Sequence, residues 1–142
     1  MIKKIAFTPP IQIRMIVFVL FIGLIAFGSL SPPKHFPTIL RIPHIDKLIH
    51  FMMYFVFCLL GIWAKDKRSY NKSVTSKLNG KAPSITDFIL ILTTAILWGI
   101  IMEVTQYLMG FGRSYSMLDL IANILGALIG SCLYYLLFIK YE

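Results

Sequence analysis

Hydrophobic positions along this chain fall into four long runs, separated by stretches rich in proline, charge or glycine. Met15 to Leu30 is almost uninterrupted apolar sequence, and Ile11 to Ile13 extend it toward the N-terminus. The second run is Leu48 to Ala64, the third Ile85 to Met109 and the fourth Leu118 to Ile139. Each is close to the roughly 20 residues that a helix needs to cross a hydrocarbon core. The pattern predicts an all-α membrane protein, a four-transmembrane-helix bundle over approximately 13–30, 48–64, 85–109 and 118–139. Residues 1–142 read as one domain, with no internal repeat and no soluble unit.

Composition agrees. Hydrophobic residues make up 58% of the 142 positions, above the roughly 45–50% apolar content of soluble domains, and the mean hydropathy is +0.78. The first run carries a basic start and ends on Gly28-Ser29-Leu30-Ser31, like a cleavable signal peptide. Three further apolar runs favour a retained first helix instead. The net charge is +8. In a soluble chain that would point to nucleic acid, but no nucleic-acid-binding motif accompanies it, and none is expected as a partner. The basic residues sit between the apolar runs, where they control topology and meet anionic headgroups of membrane lipids. Cys58 and Cys132 lie inside apolar runs without metal spacing and read as small apolar side chains.

The linkers differ in character. Residues 31–47 hold Pro32, Pro33, Pro37 and Pro43, which prevent a regular helix. Asp46, just before the second run, suits a helix N-terminus. Residues 65–87 form a flexible basic loop with Lys65, Lys67, Arg68, Lys72, Lys77 and Lys81. Within it Ser84 and Asp87 have the spacing of a capping box opening the third helix. Of the 14 Lys and Arg residues, ten fall on the side of the termini and of loop 65–87, and four on the other. The positive-inside rule then puts both termini and loop 65–87 in the cytoplasm and loops 31–47 and 110–117 outside.

Polar residues inside such runs are costly and mark a functional site by default. Most lie between Glu103 and Asn123. On the fourth helix, Asn123, Gly126 and Gly130 fall within about 40° of Asp119 at 100° per residue. One stripe therefore carries an acid, an amide and a small-xxx-small pair that lets another helix approach. On the third helix Glu103 and Gln106 share a face with Gly99, and on the second Asp46, His50, Met53, Phe57 and Gly61 share another. Topology and depth gather Asp46, Lys47, His50, Glu103, Gln106, Arg113, Asp119 and Asn123 in the outer leaflet as a ligand-binding cluster. Gly126 and Gly130 are expected to serve helix packing. The inner halves of the first, third and fourth helices read as largely apolar. The bland alternative is that these groups are pairs and caps that only hold the bundle.

Two ordered signatures resemble the VanZ-like membrane proteins, a family named for a protein associated with teicoplanin resistance. One is Asp46-Lys47 followed by His50-Phe51 and an apolar helix. The other is Glu103-xx-Gln106, Arg113 and Asp119-xxx-Asn123-xx-Gly126-xxx-Gly130. The resemblance covers roughly residues 14–137. Many members carry a proline shortly before the arginine, where this chain has Gly110-Phe111-Gly112. The resemblance implies a multi-pass protein of the bacterial inner (cytoplasmic) membrane and cell envelope. It links the chain to antibiotic resistance without supplying a biochemical mechanism.

The leading expectation is a binding protein whose site holds an amphiphilic headgroup, a lipid-linked glycan or a lipoglycopeptide, with reduced teicoplanin susceptibility as its phenotype. The alternative is an intramembrane enzyme on a lipid-linked substrate, with Glu103, Asp119 and His50 as acid–base groups and Arg113 facing a developing anion. No lipid-phosphatase, rhomboid or zinc-protease motif is present. A metal through His44, His50 and an acid lacks standard spacing, so neither metal nor cofactor is expected. A transporter ranks last, because its site should lie near the midplane and four helices would have to form a homo-oligomer.

Overall fold

The computed structural model describes residues 9–31, 45–67, 69–70, 78–79, 81–110 and 115–138. Four helices account for nearly all of them: α1 Ile11–Leu30, α2 Ile45–Lys65, α3 Ile85–Met109 and α4 Met117–Phe138. All four are long and apolar enough to cross a membrane. Between α2 and α3 the backbone makes one short antiparallel ladder, pairing Ser69 with Asn79 and Tyr70 with Leu78.

The ends of the helices follow local chemistry. α1 starts directly after Pro9-Pro10, with the Ile13 and Arg14 amides donating to the Pro10 carbonyl at 3.0 and 3.2 Å. α2 starts at Ile45, three residues before its apolar run. Asp46 and Lys47 are therefore first-turn residues rather than linker, because a carboxylate there meets the positive end of the helix dipole. The α3 start has the capping box that its spacing predicts. The Asp87 amide donates to Ser84 Oγ at 3.3 Å, and the Ser84 amide donates to Asp87 Oδ2 at 2.9 Å. α3 stops at Gly110, whose φ of 65° is left-handed and suits glycine.

The helices alternate in direction. α2 is the hub, packed against the other three, and its longest contact is with α4. Glycine explains that contact. A Cβ at Gly126 would overlap the Phe51 carbonyl oxygen, and one at Gly130 would overlap that of Phe55. Only bare Cα atoms one turn apart let the two backbones come so close. The core is built on Tyr54, Phe57, Cys58 and Ile62 of α2, packed with Phe18 and Ile25 of α1, Ile91 and Ala95 of α3 and Ala127 of α4. Phe18 meets Phe57 edge-on, with ring centroids 5.0 Å apart. The outward faces remain apolar, with Leu20, Leu24, Phe27, Ile89, Leu97, Ile121 and Leu128 all exposed. A belt of this extent needs a covering partner, and lipid supplies it. Cys58 is buried, Cys132 is exposed, and both are free.

Candidate functional site

The C-terminal ends of α1 and α3 and the N-terminal ends of α2 and α4 meet at one end of the bundle. Every residue of the ligand-binding cluster read from the sequence lies at that end, except Arg113, which like His44 lies outside the described residues. Glu103 sits six residues before the end of α3, Asn123 six after the start of α4 and His50 five after the start of α2. At 1.5 Å per residue all three are about 8–9 Å deep, so they form one layer.

Two sets of contacts organise the layer. The first begins at Glu103, only 2% exposed. Its Oε1 accepts the Ser116 amide at 2.7 Å, and Ser116 Oγ in turn accepts the Asp119 amide at 3.3 Å. A carboxylate on α3 thus grips the first turn of α4, where exposed N–H groups and the dipole favour negative charge. Asp119 Oδ1 then pairs with Lys47 Nζ at 3.2 Å, and Lys47 also reaches Asp46 Oδ2 at 2.9 Å. The chain Glu103–Ser116–Asp119–Lys47–Asp46 runs across α3, α4 and α2, from buried to exposed. The second set is His50 Nδ1 with Asn123 Oδ1 at 3.1 Å. Asn123 is 2% exposed and His50 is half-buried. Gln106 turns away from both, donating through Nε2 to the Ser29 carbonyl at 2.9 Å. That bond pins α1 to α3.

Part of the cluster is therefore structural. Glu103 Oε1 holds the α3–α4 hairpin, and Gln106 ties down a helix end. The part nearer solvent is Asp46, Lys47, His50 and Asp119. Among the described residues of this end, the carboxylates of Asp46, Glu103 and Asp119 outnumber the single ammonium of Lys47. Such a set accepts more hydrogen bonds than it donates and suits hydroxyl, amine or amide donors. Tyr107 and Tyr115 stand exposed at the same end, as aromatic residues do where a membrane meets water.

Three polar contributors escaped the sequence reading: Ser116, the Ser29 carbonyl and Tyr54. Ser116 was visible in principle, since Ser116-xx-Asp119 repeats the Ser84-xx-Asp87 capping spacing. Tyr54 is four residues beyond His50 and so on the same face of α2.

The opposite end corrects the expectation of apolar inner halves. Arg14 of α1 is 4% exposed, Asp66 5%, Tyr134 of α4 4% and Ser131 8%. Arg14 Nη1 donates to the Trp63 carbonyl at 2.9 Å and to the Asp66 carbonyl at 2.5 Å. Its guanidinium also lies 5.7 Å from the Trp63 ring centroid. The Tyr134 hydroxyl donates to Asp66 Oδ2 at 2.8 Å. This end is closed by a buried cation seated on the last carbonyls of α2, which the dipole favours. Arg14 was read as one of the topology-setting charges, yet it is a packed residue.

The sequence model of the family described as VanZ/LLP1 matches residues 3–138. No curated protein and no solved structure matches the chain.

Proposed function

The chain belongs to the VanZ/LLP1 family and is a multi-pass membrane protein of that type, and from this premise we propose that its Glu103 end binds the polar head of an envelope amphiphile. Basic residues weighted to the other side orient this end outward, with both termini in the cytoplasm of a bacterial cell and the bundle in its inner membrane. The ligand class is a lipid-linked glycan or a lipoglycopeptide. Its tail lies along the apolar flanks and its sugar meets the polar layer.

One observation carries this reading. Lys47–Asp119 in the first turns and His50–Asn123 about one turn deeper place polar groups of α2 and α4 together, at the end that exposes Tyr107 and Tyr115. A bundle held only by packing gains little from such a set, because a partly exposed ion pair contributes little to stability. Sequestering a lipoglycopeptide or its lipid-linked target at this site would lower teicoplanin susceptibility. In a teicoplanin-sensitive host, the wild-type chain is expected to raise the minimum inhibitory concentration above the empty vector. Asp119→Asn is expected to return it to the vector level while the protein still accumulates in the membrane. Equal concentrations for wild type and vector would remove the resistance phenotype, and an unaltered Asp119→Asn would remove this site from it.

Acid–base chemistry on a lipid-linked substrate is the second reading, and the His50–Asn123 contact is what favours it. With the Asn123 oxygen accepting, Nδ1 carries the proton and Nε2 is left basic. Turnover of a polyprenyl-linked substrate by purified protein, lost in His50→Gln, would establish it. Absence of turnover in wild type leaves binding as the activity.

A further inference from the structure

Lys67 and Lys81 face each other across the short ladder at the end opposite Glu103. The ladder pairs Ser69 with Asn79 and Tyr70 with Leu78. Lys67 stands two residues before Ser69 and Lys81 two after Asn79, so they fall in the same register. The Lys67 amide donates to the Lys81 carbonyl at 3.3 Å, which continues the pairing to them. Directly opposed residues of an antiparallel pair carry their side chains on one face, with β-carbons roughly 4.5–5.5 Å apart. Both lysines are exposed. Like charges so placed repel and destabilise the pairing unless an anion lies between them.

The protein supplies no such anion from its described residues. Asp66 and Asp87 are the described acids of this end. Asp66 is buried, and its Oδ2 accepts the Tyr134 hydroxyl at 2.8 Å. Asp87 Oδ2 is taken by the Ser84 amide and hydroxyl, at 2.9 and 2.7 Å. No ion pair joins Lys67 or Lys81 to a described residue. Both carboxylates are thus committed to the fold, and the lysines are left on the surface.

Position names the anion. Lys67 lies two residues beyond the last residue of α2, and Lys81 four before the first of α3. Both helices are long and apolar enough to cross a membrane. The pair therefore stands at the depth of the lipid headgroups, where phosphate is the abundant anion. We infer that Lys67 and Lys81 form a fixed site for the phosphodiester of an anionic phospholipid, held between the two ammonium groups at the base of the ladder. The sequence suggests only diffuse attraction by a flexible basic loop, whereas the ladder concentrates it at two residues. A zwitterionic headgroup brings its own cation, which the lysines repel. The site is separate from the Glu103 end and does not depend on what that end binds.

The test uses the full chain in nanodiscs of phosphatidylcholine into which phosphatidylglycerol is titrated, with the lipid retained on the protein counted by native mass spectrometry. One lysine at an anionic surface is worth about fivefold in affinity, so the pair should hold phosphatidylglycerol roughly thirtyfold more tightly than phosphatidylcholine. Lys67→Gln combined with Lys81→Gln should lose that preference. Lys67→Glu, which sets opposite charges across the ladder, should lose it as well, because Lys81 then has its counter-charge within the protein. Lys72→Gln combined with Lys77→Gln removes the same charge from the segment between the strands and should keep the preference. Equal loss in that variant would assign the effect to the net charge of the loop and overturn the site. A wild type that retains both lipids alike would overturn it too. Glycerol phosphate and an acidic peptide are offered in pure phosphatidylcholine discs, where neither should bind. Binding of either that is lost with Lys67 and Lys81 would make the occupant soluble and overturn the lipid assignment.

Discussion

Gly126→Leu is expected to separate α4 from α2 and to leave no stably folded bundle. The β-carbon alone would lie 2.1 Å from the Phe51 carbonyl oxygen, and that atom belongs to the backbone of a helix and cannot turn aside. Accommodation means moving α4 outward along its longest contact. Overpacking of an ordinary core costs about 1–3 kcal/mol, and a clash with main chain belongs at or beyond the top of that range. The same displacement separates Lys47 from Asp119 and His50 from Asn123, so stability and site fail together. Alanine gives the graded version. Gly126→Ala and Gly130→Ala are both expected to lower the unfolding temperature in detergent. Gly23→Ala, which meets nothing within 4 Å, is expected to be neutral or stabilising, since alanine favours the helix by up to about 1 kcal/mol. If the three alanine variants unfold alike, close approach at Gly126 and Gly130 is not what joins the helices.

The helices were legible because hydropathy is a sum over some twenty positions, and no single residue decides it. Their ends were legible where local chemistry speaks, as at Ser84 and Asp87, and less so at α2. There Asp46 and Lys47 interrupt the apolar signal although the backbone is already helical at Ile45. That another helix approaches α4 closely could be anticipated from the alignment of Gly126, Gly130, Asp119 and Asn123 on one stripe, and the structure identifies that helix as α2. What each polar group does could not. Glu103 and Gln106 look alike as buried polar residues, yet one grips the start of α4 and the other the end of α1. Those partners are backbone atoms of Ser116 and Ser29, and a backbone group leaves no mark in the sequence. The Arg14 end was invisible for a related reason. Arg14, Asp66 and Tyr134 lie far apart in the chain, and each has an ordinary local explanation. Only the packing of α1 antiparallel to the parallel pair α2 and α4 brings them together.

Arg14→Ala is expected to destabilise the bundle by about 3 kcal/mol, the scale of buried hydrogen bonds to a charged group. The guanidinium satisfies the Trp63 and Asp66 carbonyls at the end of α2. Removing it takes a charged donor from two carbonyls at the negative end of a helix dipole. Arg14→Lys should recover only part of the loss, because an ammonium is a point charge on a flexible stem and cannot lay a planar guanidinium over the Trp63 indole. Arg14→Ala also removes a charge that orients α1, whereas Arg14→Lys keeps it, so topology and stability must be read separately. Labelling of cysteines placed in the loops reports topology, and the unfolding midpoint of purified protein reports stability. A packed Arg14 predicts that Arg14→Lys keeps the wild-type topology yet unfolds earlier, with altered Trp63 fluorescence. If Arg14 were only a topology signal, Arg14→Lys would match wild type in both measurements, and Arg14→Ala would change the labelling pattern while correctly inserted molecules unfolded at the wild-type temperature.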